Sequence, residues 1–199
     1  MCVTITNTGS PTPVRGDLLA GFFFSISNAD PSLVLASGTG TVVQTGQTAF
    51  TGNLLASATN GAYALVQAPG STLGTNANGL VFPYEYGVAT VGDSGIFPGG
   101  SVGGDDYALV APGTNIGANK LGGLRFVQTS ATFVISGVPV NFDPTLRITN
   151  VALSFGSLPD VVIAGQVVAP EPRSLVEVLA GLSLGGVLLS RRRRTQEFA

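Results

Sequence analysis

Histidine and tryptophan are absent from this 199-residue chain, and cysteine occurs once, as Cys2. Without histidine there is no imidazole to take the proton of a serine or cysteine nucleophile, and zinc sites of the usual Cys/His kind are excluded. One cysteine permits no internal disulfide, so the redox compartment is not legible from pairing. Charge is scarce as well, at 10% of residues against 44% hydrophobic ones. It is also unevenly divided. Up to Ala169 four basic residues (Arg15, Lys120, Arg125 and Arg147) face eight acidic ones, whereas the last thirty residues carry five arginines and three glutamates. The body therefore carries a net −4 and offers no basic surface suited to nucleic acid.

Glycine, by contrast, is abundant, with 28 residues beside 12 prolines. That is too much glycine for a helical bundle, while the chain is too apolar for a disordered polymer. Apolar runs with strand character alternate with turn clusters. In CVTIT, Val3 and Ile5 share one face and Thr4 and Thr6 the other. LLAGFFFSIS (18–27) reads as a buried strand, and LRFVQTSATFVISG (124–137) and LRITNVALSFG (146–156) are the longest β-rich runs. VVIAGQVV (161–168) makes a last strand. Clusters such as TNANG, PGGSVGGDD and PGTNIGANKLGG break helices and favour turns. No long 3.6-residue amphipathic pattern precedes the tail. The expectation is an all-β body over 1–168, an antiparallel β-sandwich or jelly roll, followed by a short C-terminal transmembrane helix.

Two stretches echo each other. YALVQAPGSTLGTNANGLVF (63–82) matches YALVAPGTNIGANKLGGLRF (107–126) at twelve positions when one residue is skipped in each, including Tyr63/Tyr107, Pro69/Pro112 and Phe82/Phe126. Either a strand and loop are duplicated to present two similar surfaces, or two strands ending in Gly/Asn-rich turns look alike. Two copies are too few for a solenoid.

The tail, APEPRSLVEVLAGLSLGGVLLSRRRR from Ala169 to Arg194, has a different character. From Leu175 to Ser190 the only charge is Glu177. A helix there spans roughly 24 Å, short of the ~30 Å hydrocarbon core but insertable with Arg191, Arg192, Arg193 and Arg194 snorkelling at one interface. Those arginines are a positive-inside signal that holds the C-terminus in the cytoplasm. Pro170 and Pro172 keep the segment before the helix extended and exposed, as a membrane-embedded protease requires. A plain anchor is the simpler reading of the same segment. A basic arm for nucleic acid, as in some jelly-roll capsid proteins, would be polar rather than backed by an apolar helix.

Pro170, Glu171 and Pro172, the short apolar helix and the terminal arginine cluster together resemble the PEP-CTERM sorting signal. The body resembles the XDD class of exosortase-dependent surface proteins, through TITNTG (4–9), DLLAGFFFSI (17–26), PYEYGVA (83–89), GGDDYALV (103–110) and ITNVALSFGS (148–157). Glu177 departs from the family's usually uncharged helix. The resemblance implies a domain at 1–168 and a sorting tail at 169–199. It also implies cleavage by an exosortase after transient inner-membrane anchoring, then passage to the cell surface or exopolysaccharide of a Gram-negative bacterium, without catalysis or cofactor. Such export predicts a signal peptide and first strand upstream, because MCVTITNTGS has neither a basic n-region nor an apolar h-region. For the same reason Cys2 does not read as a lipoprotein cysteine.

Candidate chemistry is sparse. Gly92-Asp93-Ser94-Gly95 resembles the nucleophile loop of trypsin-like proteases, but there is no histidine, and Lys120 is the only lysine for a serine–lysine variant. Glycoside hydrolysis needs two carboxylates, and Glu85 is the body's only glutamate. Asp105 and Asp106 offer oxygens to calcium, yet adjacent strand residues point to opposite faces and no EF-hand pattern surrounds them. Tyr84 and Tyr86, with Phe82 in register, would share one strand face, either as core or as a row stacking on sugar rings. The expected function is a structural or adhesive surface protein, and the alternative is a carbohydrate-binding module engaging exopolysaccharide.

Overall fold

The computed structural model describes residues 1–11, 18–28, 31–55, 63–75, 81–90, 106–117, 123–156 and 161–164. They form twelve strands and one helical turn. The strands are β1 (Cys2–Thr6), β2 (Leu19–Ile26), β3 (Val34–Gln44), β4 (Phe50–Asn53), β5 (Tyr63–Gln67) and β6 (Gly74–Thr75), then β7 (Val81–Phe82), β8 (Tyr86–Thr90), β9 (Leu109–Val110), β10 (Arg125–Ser136), β11 (Ile148–Phe155) and β12 (Val161–Ala164). The helical turn α1 spans Pro144–Arg147.

Ten strands belong to one sheet whose main path runs β12-β11-β2-β9-β10-β3-β4, with β1 on β10, β8 on β2 and β5 on β8. The short β6 and β7 pair separately. The body is all-β as expected, but the two walls of the core come from one strongly curled, mixed sheet rather than from two antiparallel ones. The mixing arises at β9, which runs parallel to β10 and antiparallel to β2.

The curl has a local cause. Pairing of β10 with β3 shifts between Gln128 and Ala131, around Thr129 at φ 67°. Pairing of β11 with β2 shifts between Thr149 and Ala152, around Asn150 at φ 51°. Extra residues bend a strand and increase its twist, and a β-branched residue at positive φ is a strained position. At Thr129 β10 changes neighbour on one edge, from parallel β9 at Val127 and Gln128 to antiparallel β1 from Ser130 onward. The Thr129 carbonyl accepts the Asn7 N–H at 2.8 Å, which ties the bend to the end of β1.

The main core lies inside the curl, where Phe22, Phe24 and Ile26 of β2 meet Tyr86 and Val88 of β8 and Val127, Phe133 and Ile135 of β10. Every residue of β2 is buried. On its other face Phe23 joins a smaller cluster with Phe82, and Leu18, just before the strand, joins another with Phe126. A strand buried on both faces reads as a continuous apolar run, which is what LAGFFFSI is. Room for Phe23 comes from Gly87 opposite it, where an added Cβ would lie 2.5 Å from the Phe23 ring.

One boundary differs from expectation. Leu146 and Arg147 were expected in the strand that follows, but they close α1. Asp143 caps the turn by accepting the Thr145 N–H at 2.9 Å, and Pro144 stands at its start, where a missing N–H costs nothing. Among the described residues no helix is long and apolar enough to cross a membrane. The expected helix over 175–190, with Pro170, Glu171, Pro172 and Arg191 to Arg194, lies outside the described residues.

Candidate functional site

Buried side chains alternate with more exposed ones along part of β1 and β10, while β3 is mostly half-buried or exposed and β4 has no buried residue, so this part of the sheet has a face turned away from the core. Register places Thr4 opposite Thr132, Thr132 opposite Thr39, and Thr39 opposite Asn53, one straight row across four strands. A second row joins Gln128, Thr41 and Thr51. The Thr4 and Thr132 hydroxyls share a hydrogen bond of 3.0 Å, and Asn53 Oδ1 accepts the Leu55 N–H at 3.0 Å. Neither β1, β3 nor β4 contains a charged residue, and β10 has only Arg125 at its start. The two rows present hydroxyls and amides without charge, and beside them on the same face lie Cys2, the exposed Val134 and Ser37. Sequence reasoning saw the alternation in CVTIT but missed this face. TGT at 39–41 carries the same signal, yet only register lines the rows up.

The two tyrosines expected as a row are divided. Tyr86 is fully buried, stacks on Phe24 with centroids 5.3 Å apart, and donates its hydroxyl to the Pro31 carbonyl at 2.8 Å. Tyr84 is half-buried between Phe23 and Phe82, and burial raises its phenol pKa. The period of two fails because residues 83–85 lie between β7 and β8 and are not strand. Tyr84 and Tyr86 therefore do not form an exposed aromatic row, and core packing, the other reading, describes them. Glu85 between them is also structural. Its carboxylate accepts the Ile26 N–H at 2.9 Å at the end of β2.

Asp106 pairs with Arg125 rather than standing open to a cation. One carboxylate oxygen accepts the Arg125 backbone N–H at 2.7 Å and the other meets the guanidinium at 2.5 Å. The guanidinium carbon lies 4.4 Å from the centre of the Tyr107 ring. The hydrogen bond to Asp106 pushes the arginine's pKa up, chiefly against the lowering effect of burial. About a third of each charged side chain is exposed, so solvent screens the pair. Asp105, Ser94 and Lys120 lie outside the described residues. Among the described residues no three His, Cys, Asp or Glu side chains come together as a metal site. Cys2 is exposed.

No family model, curated protein or solved structure matches the chain.

Proposed function

We propose that the chain is an exported surface or extracellular-matrix protein with a structural or adhesive role, released from the inner membrane by an exosortase and acting without catalysis. The observation that carries this reading is the order of the tail. Pro170-Glu171-Pro172, a nearly uncharged segment from Leu175 to Ser190 and Arg191 to Arg194 come in this order after Ala164, where the last described strand of the β body ends. Extended backbone, a marginal span and a positive-inside stop are the physical requirements of a substrate cut at the membrane. A curled sheet with its core between facing walls fills the place that a sandwich or jelly roll would fill in such a protein.

The test is the C-terminal mass of the protein recovered from its host, with and without the host's exosortase. Loss of the tail only when the protease is present is the expected result. Full-length protein held in the inner membrane under both conditions would reduce the tail to an anchor and overturn the surface reading. The carbohydrate-binding alternative loses Tyr86 to the core, and the contact surface left to it is the hydroxyl face.

A further inference from the structure

Strand directions define one end of the body. There β3 begins at Val34, opposite Ser136 at the close of β10. There too β2 ends at Ile26, opposite Ile148 at the start of β11. The connection between β10 and β11, residues 137–147, therefore belongs to this end. The last strand points the same way. β12 lies antiparallel to β11, and Ala164 is opposite Ala152, four residues short of Ile148. At Ala164 the chain is heading toward the 137–147 connection. Leu175, where the apolar stretch of the tail begins, is at most about 40 Å from it along an extended backbone.

That connection carries the two most exposed large hydrophobic side chains among the described residues, Val140 at 92% and Leu146 at 75%. Val140 lies in a tight turn closed by the Phe142 N–H to the Pro139 carbonyl at 3.2 Å, with Asn141 at φ 61°. Gly, Pro, Asn, Asp and Ser dominate such turns, so the turn itself does not call for a valine. Leu146 follows in α1, whose start is fixed by the Asp143 cap and Pro144. Val138 and Phe142 pack against the main core and brace the connection. The two apolar side chains are thus held out by an ordered segment, and little freedom remains to be lost when they are covered.

We infer that this end of the body docks on the lipid bilayer that holds the tail, with Val140 and Leu146 entering the interface between headgroups and acyl chains. The inference rests on the reading of the tail as a membrane segment. Lipid is the occupant because the tail brings it. Residues 165–174 tether the body to an inserted segment, so the bilayer is present at high effective concentration, and β12 directs this end toward it. Contact removes the exposed apolar side chains from water. The connection's charges are Asp143 and Arg147, one of each sign. Asp143 is engaged by the Thr145 N–H and hydroxyl, and Arg147 is long enough to keep its guanidinium among the headgroups. A body docked this way keeps Pro170-Glu171-Pro172 close to the bilayer surface, where a membrane protease cuts.

The test uses the full chain in lipid nanodiscs of phosphatidylcholine and phosphatidylglycerol. In a Cys2→Ser background an environment-sensitive fluorophore is attached through Val140→Cys. The control is Gln47→Cys, in the exposed turn beyond β3, at the other end of that strand from Val34. Blue-shifted emission and protection from aqueous iodide are expected at 140 and not at 47. Leu146→Gln should lower the docked-to-undocked ratio about tenfold, and thermal melting establishes that it folds. A label at 140 as open to iodide as the one at 47, equal protection of both, or no effect of folded Leu146→Gln would overturn the inference. A chain that co-elutes with the discs while 140 stays open defeats the docked end alone. A docked chain whose tail the host's exosortase leaves intact defeats the export reading alone. A chain that does not co-elute with the discs has no membrane-held tail, and both fall.

Discussion

Residues 63–82 and 107–126 begin with the same four residues, Tyr-Ala-Leu-Val, and end on the same phenylalanine, yet they are built into the sheet differently. What they share is a turn and a small cluster. In each, an Ala-Pro-Gly sequence makes a type II turn. Gly70 sits at φ 71° and Gly113 at φ 78°, closed by Ser71 N–H to the Ala68 carbonyl and Thr114 N–H to the Ala111 carbonyl. Leu73 then packs with Phe82 in one copy, and Ile116 with Phe126 in the other. One cluster takes in Phe23 of β2 and the other Leu18, the residue just before that strand. Among the described residues the echo is thus a shared turn and a shared packed phenylalanine, with 76–80 and 118–122 lying outside them.

What differs is the strand that leads in. In the first copy β5 pairs over all five residues with antiparallel β8. In the second, Tyr107 turns to φ 64° and only Leu109 and Val110 remain as strand, parallel to β10. The cause lies at the flanks. Asp106 and Arg125 hold Tyr107 from both sides, and the Tyr107 N–H donates to the Arg125 carbonyl at 2.5 Å. At the aligned places the first copy has Ala62 and Val81, which make no such clamp. Local sequence therefore builds the shared turn, and the copy that carries the Asp106–Arg125 pair is the one whose leading strand is short and parallel to β10.

Truncating the shared phenylalanines tests the comparison most severely. Phe82 and Phe126 are both fully buried, so Phe82→Ala and Phe126→Ala should each cost about 3–5 kcal/mol in urea unfolding. Similar losses would sharpen the equivalence, and a silent variant would break it.

Tyr63 marks an asymmetry of intermediate size. Its buried hydroxyl donates to the Tyr107 carbonyl at 2.9 Å and so links the two copies. Tyr63→Phe leaves that carbonyl without this donor and should cost about 1–3 kcal/mol. Burial also pushes the Tyr63 phenol above its ordinary value of 10.0. A raised pKa in the folded state means the contribution is complete below the unfolded value and is lost as pH rises beyond it. Melting temperature should therefore fall above about pH 10 in the native chain and fall less steeply in Tyr63→Phe. Equal alkaline slopes would mean Tyr63 is not the group responsible.

The smallest effect is expected at the clamp. Arg125→Val gives the second copy the residue of the first and removes both the ion pair and the stacking on Tyr107. The cost should be about 1 kcal/mol, reduced further by salt, because the pair is partly exposed. A salt-independent loss of several kcal/mol would show that the turn at Tyr107 holds up the core rather than only orienting one strand.

The strands were legible where burial and period agree. CVTIT shows Val3 and Ile5 turned inward as its alternation predicts, and the apolar run of β2 is buried throughout. Elsewhere local rules misled for identifiable reasons. Leu146 looked like strand because it is apolar, but the Asp143 cap and Pro144 start a helical turn first. Tyr84 and Tyr86 looked like a row because of their spacing, but the chain leaves the strand between them. The threonine rows were invisible because their order depends on pairings between residues as distant as Thr4 and Thr132.

The sequence by itself determined the β character, the turns and the buried strand, because apolar alternation, Pro-Gly pairs and a run such as FFF act within a few residues. The order of Pro170-Glu171-Pro172, an apolar stretch and Arg191 to Arg194, on which the sorting proposal rests, is legible on the same local terms. Only the tertiary structure decided that one sheet makes both walls and that β9 runs parallel. Only it decided that Tyr86 belongs to the core and that uncharged side chains from four strands line up on one face. Those outcomes depend on register and on bends at Thr129 and Asn150, where a shift of one residue exchanges inside for outside.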